Sequence, residues 1–158
     1  MNRAAVLKQL AGLVAVVLLL AVAPACNDVD DPGQAESVVL VTSISASGLS
    51  VASGIDTTAT IGYTLNPRNA AATTFYHDIT LTSYTVEFAP AVVAPMSAAL
   101  STAYCIAGGA CTVDLVLVPN GSKPGAGTTV IANVEVDGKD LNDNPVNFSA
   151  TVPLTFTP

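Results

Sequence analysis

The sequence predicts an all-β protein: an antiparallel sandwich of two sheets and about seven strands, preceded by a signal peptide helix. Three observations carry this. From Ser37 onward the chain is rich in Val, Thr, Ala and Ile, with apolar residues at every second position, the period of a half-buried strand. Clusters of Gly, Pro and Asn interrupt these stretches at intervals, where turns belong. No stretch combines a 3.6-residue apolar period with the caps that bound a helix. At 158 residues the chain is the size of one domain.

Residues 1–25 differ from the rest. Asn2, Arg3 and Lys8 form a short basic start, and Leu10 to Ala23 is an unbroken apolar run. Basic start, short apolar run and small residues at a cleavage point define a secretory signal. The run is shorter than the ~20 apolar residues that a membrane-spanning helix needs. Ala23-Pro24-Ala25 suits ordinary signal peptidase. Ala25-Cys26 resembles the end of a bacterial lipobox, although that family prefers Leu where Ala23 stands. The lipobox resemblance implies that Cys26 becomes the acylated first residue of the mature chain. The cysteine count agrees: there are three, Cys26, Cys105 and Cys111, and acylating the first leaves one pair for an oxidising compartment. Cleavage without lipid is the alternative.

Residues 26–36 read as an acidic flexible tether, since NDVDDPGQAE has almost nothing to bury. Its ten residues reach about 33 Å when extended. From Cys26 on, three cations (Arg68, Lys123, Lys139) face all twelve acidic residues, a side-chain charge of −9. That balance excludes a nucleic-acid partner. It also gives no polybasic attraction to an anionic bilayer, so acyl chains on Cys26 would have to hold the membrane, and stable anchoring takes more than one chain.

Residues 37–158 form the sandwich domain. Val38 to Ile44 is the first strand, apolar on both faces at its start. Thr58 to Leu65 follows, with Ala59, Ile61, Tyr63 and Leu65 inward. Asp78 to Phe88 changes phase: Ile79 and Leu81 share one parity, and Tyr84, Val86 and Phe88 the other, so a bulge near Thr82-Ser83 is needed to bury both sets. Ala98 to Tyr104 is the weakest of the seven. Cys111 to Val118 places Cys111, Val113, Leu115 and Leu117 on one face. Thr128 to Asp137 does so with Val130, Ala132, Val134 and Val136, and Val146 to Phe156 with six apolar residues. Pro153 cannot donate to a ladder, which argues for an edge strand or an unpaired segment near the chain end. Trp is absent and aromatics are few, so an aliphatic core is expected.

The segment Gly138 to Val146 (GKDLNDNPV), leading into an alternating last strand, resembles the final hairpin of bacterial immunoglobulin-like domains, which carry G-x-D-x-x-G-N-x-V there. Asp143 stands where that family has Gly, so a turn differing in detail is expected. Ile79 to Phe88 is similar to the third strand of a fibronectin-type domain. The resemblance implies an immunoglobulin-like order, with the second-third, fourth-fifth and sixth-seventh connections and the start of the first strand at one pole.

Candidate chemistry is sparse. Cys105 and Cys111 flank Ile-Ala-Gly-Gly-Ala, whose glycines let the chain reverse and bring the sulfurs together. The expected result is a disulfide stapling a hairpin, contributing about 2 kcal/mol; the alternative is a redox switch or metal pair, for which a single His leaves too few ligands. Asp137, Asp140 and Asp143 crowd one loop with Asn142 and Asn144. Such hard oxygens suit calcium, but the same residues populate ordinary solvated turns. Arg68, Phe75, Tyr76 and His77 lie in the long loop before the third strand and form the candidate recognition surface; alternatively Phe75 and Tyr76 begin a strand and cover the core. His77 beside Asp78 resembles half a catalytic pair without a third member.

These features point to a non-enzymatic, lipid-anchored envelope module, exported and held at the outer membrane of a Gram-negative bacterium, with no cofactor and with an envelope protein or glycan as partner. The outer-membrane expectation rests on Asn27 after Cys26, by analogy with enterobacterial lipoprotein sorting. The alternatives are a calcium-dependent adhesion domain, a secreted unlipidated module, and a hydrolase centred on His77.

Overall fold

The computed structural model describes residues 37–68 and 77–158, with Thr102 described by its backbone alone. The signal peptide, the tether, Cys26, Phe75 and Tyr76 lie outside the described residues.

Seven strands are described: β1 (Ser37–Ser47), β2 (Thr57–Pro67), β3 (Ile79–Ala89), β4 (Met96–Cys105), β5 (Ala110–Val118), β6 (Thr129–Asp140) and β7 (Pro145–Thr155). They form two antiparallel sheets in the orders β1-β2-β5 and β4-β3-β6-β7. The order is compatible with an immunoglobulin-like domain whose fourth strand joins the third rather than the fifth. Every strand expected from the two-residue period is present. In β7 burial alternates without exception from Pro145 to Thr155, because each second side chain of a strand points to the same face.

The phase change in β3 is a bulge. Register with both β4 and β6 shifts between Leu81 and Ser83, and Ile79, Leu81, Tyr84, Val86 and Phe88 are all buried. The bulged backbone crowds its neighbour. A Cβ on Gly138, opposite Leu81, would lie 2.5 Å from the Thr80 carbonyl oxygen, so this position of β6 requires glycine. Pro153 occupies β7, an edge strand as expected.

The core is less purely aliphatic than composition suggests. Tyr63, Tyr84, Phe88, Phe148 and Phe156 are all buried among Val, Ile and Leu. Sheets pack about 10 Å apart, and large rings bridge that gap. Tyr63 of β2 meets Phe148 of β7 at 5.4 Å between ring centroids. The Tyr84 hydroxyl of β3 donates to the Val116 carbonyl of β5 at 2.9 Å.

Connections gather at two poles. At one, Ser37 Oγ donates to the His77 carbonyl, Gly108 N–H to the Leu65 carbonyl, and Ile79 pairs with both Cys105 and Asp140. The start of β1 and the β4–β5 and β6–β7 loops therefore share this pole. At the other, Lys123 Nζ donates to the carbonyls of Gly48 and Ser50, and Thr157 N–H to the Leu49 carbonyl. That last bond belongs to a parallel bridge between Ser50 and Thr157, which laces the chain after β1 to the chain after β7.

Candidate functional site

Polar and disulfide chemistry concentrates at the pole where β1 begins. Cys105 closes β4 and Cys111 lies near the start of β5, and the two are bonded with their Cα atoms 5.9 Å apart. The expected hairpin staple is corrected here. β4 and β5 belong to different sheets, so the bond ties one sheet to the other at the corner where the chain crosses over. The two-residue period cannot show this, because parity does not say which strands pair.

The disulfide loop is held from both sides. Gly108 N–H reaches the Leu65 carbonyl and Leu65 N–H the Gly109 carbonyl, while Ala107 N–H donates to Asp78 Oδ1 at 2.8 Å. Gly108 has φ 75°, a conformation that glycine adopts without strain. Asp78 is buried, and its second oxygen accepts the Tyr104 hydroxyl. That hydrogen bond, helped by burial and by the carboxylate's charge, raises the Tyr104 phenol above its ordinary value.

Of the residues foreseen as a recognition surface, Arg68 and His77 are described and differ in exposure. Arg68 is exposed at the end of β2, whereas His77 is 2% exposed. An imidazole so enclosed is not presented to a partner. Asp78 beside it serves Ala107 and Tyr104, the arrangement of a structural carboxylate.

The three aspartates of the acidic loop also have separate tasks. Asp140 is buried, and its carboxylate accepts Asn142 N–H, Asn144 N–H and Asn144 Nδ2 at 2.8 to 3.1 Å. Asp143 is exposed and paired with Lys139. Asp137 lies within β6, opposite Ser83 and Asn147. Among the described residues no group of three or more His, Cys, Asp or Glu side chains converges as a metal site would require. Asp143 has φ 62°, the left-handed conformation that suits Gly. Asp tolerates that conformation better than most residues that carry a Cβ.

One feature escaped the sequence. On the outer face of the four-stranded sheet, Thr85, Glu87, Asn133, Glu135, Ser149 and Thr151 line an open depression of about 420 Å³. Its signal was the outward parity of three strands. Only the register, which sets Thr85 beside Glu135 beside Ser149, shows that those residues share one surface.

Comparison with models of known protein families finds no match for the chain, and comparison with functionally characterised proteins finds none of significance.

Proposed function

We propose that the chain is a non-enzymatic module of the bacterial cell envelope, exported by its N-terminal signal, anchored through acyl chains on Cys26, and offering its sandwich to an envelope protein or glycan. The observation that carries this reading is the sequence at the signal's end, Ala25-Cys26, followed by an acidic tether. The use of the polar groups supports it. The Asp140 carboxylate is engaged by its own loop and that of Asp78 by Tyr104 and Ala107, and His77 is enclosed. General acid–base or nucleophilic chemistry needs such groups within reach of a substrate.

Fractionation of cells carrying the wild-type chain or Cys26→Ser tests the anchor. The wild type is expected with the membranes and the variant in the soluble envelope fraction. Equal distribution would remove the anchor and leave a secreted module. Cross-linking of the membrane-held form would then identify the partner.

A further inference from the structure

We propose that Asn120 is a site of spontaneous deamidation, and that the product loosens the pole to which it belongs. Asn120 opens the single turn of 3-10 helix Asn120–Ser122 that follows β5. Gly121 comes next, in the one Asn-Gly step of the chain. The reaction needs no partner but water. The Gly121 amide nitrogen gives up its proton and attacks Cγ of Asn120. A C–N bond forms, and the side-chain nitrogen leaves as ammonia. Water then opens the cyclic imide at either carbonyl, giving aspartate or isoaspartate, so that ammonia is lost and water gained.

The site meets each requirement. Asn120 and Gly121 are both exposed. Neither the Asn120 carboxamide nor the Gly121 N–H has a hydrogen-bond partner among the described residues. A Cβ on Gly121 would meet nothing within 4 Å, so nothing crowds the nitrogen as it swings toward the side chain. The turn that must open is held by Ser122 N–H donating to the Pro119 carbonyl at 2.9 Å and by Lys123 N–H donating to the Asn120 carbonyl at 3.5 Å. So short a helix at the surface opens at little cost.

Elsewhere the same chemistry is blocked. Asn66 and Asn144 precede prolines, which have no N–H to lose. Asn133 and Asn147 lie inside β6 and β7, where the ladder fixes the backbone. The N–H that follows Asn142 belongs to Asp143 and donates to the Asp140 carbonyl. Asp137-Gly138 could form the same imide, but it lies in β6 with Gly138 pressed against the Thr80 carbonyl.

The product changes the chain between two anchors. Asn120 N–H donates to Asp56 Oδ1 at 2.9 Å. Just beyond, Lys123 Nζ holds the carbonyls of Gly48 and Ser50. Isoaspartate routes the main chain through its own Cβ and so adds a backbone atom between these contacts.

The purified protein is incubated at pH 8 and 37 °C, and tandem mass spectrometry follows each asparagine with time. The exchange of ammonia for water is expected at Asn120 ahead of Asn133, Asn142, Asn144 and Asn147, with isoaspartate among the products. Gly121→Ala places its methyl in open space, so it is expected to fold as the wild type does and to lose most of the conversion. The converted wild type is expected to melt below the fresh protein. No conversion at Asn120, earlier conversion at another of these asparagines, or equal rates in the wild type and Gly121→Ala would overturn the site. Identical melts of converted and fresh protein would overturn the loosening.

Discussion

Cys105 and Cys111 are only six residues apart in sequence, yet they join the edge strands of two different sheets. The bond closes a small loop, so its effect on the unfolded chain is modest, about 2 kcal/mol on the chain-entropy account. Replacing both cysteines with Ala is expected to lower the unfolding free energy by that amount, read as a lower urea midpoint at an unchanged slope. Reducing the wild type should reproduce the shift.

Asp140 should matter more than its neighbours. Asp140→Ala would leave Asn142 N–H, Asn144 N–H and Asn144 Nδ2 without their acceptor, and hydrogen bonds to a charged group contribute about 1.5–3 kcal/mol. A stability loss of that scale is expected, read as a lower melting temperature and equal in chelator and in millimolar calcium. A loss seen only with calcium present would make the loop a metal site.

At position 143 the backbone decides. Asp143→Ala is expected to cost about 1 kcal/mol, because φ 62° disfavours a Cβ without a compensating polar group. Asp143→Gly should cost nothing or stabilise slightly, since the exposed pair with Lys139 contributes only a few tenths. Thermal melts of the two variants separate backbone strain from charge.

Tyr63 is 1% exposed, and its hydroxyl finds no hydrogen-bond partner among the described residues. Such a group disfavours burial by about 1–3 kcal/mol. Tyr63→Phe is therefore expected to raise stability while keeping the ring against Phe148. A loss would mean that the hydroxyl is satisfied after all.

Alkaline pH should destabilise the domain through its tyrosines. Burial raises the phenols of Tyr63 and Tyr84, and the bond to Asp78 raises that of Tyr104. The folded form thus holds these protons to higher pH than the unfolded chain does. The contribution is complete below about pH 10, the ordinary tyrosine value, and is lost as pH rises through the raised folded values. Stability measured from pH 8 to 12 should fall at the upper end, and Tyr104→Phe should remove part of that dependence.

Much of the fold was legible because strand parity is a strong local signal. The bulge at Thr82 could be read from the point where apolar residues change phase, and the edge position of β7 from Pro153. What depends on pairing was hidden. Parity does not say that β4 and β5 part company, so an inter-sheet bond looked like a hairpin staple. Asp140 and His77 looked like surface groups, because turn composition does not show which side chain folds back beneath its loop. The depression around Glu135 needs three strands in register, and no one of them announces it.

The most direct test of the account is the intact mass of the mature protein taken from the membrane fraction, with and without reductant. The account predicts the mass of Cys26–Pro158 plus acyl groups, rising by two hydrogens on reduction as the Cys105–Cys111 bond opens. An unmodified mass in the soluble fraction would contradict the anchor, leaving Cys26 a free or intermolecular thiol on a secreted domain.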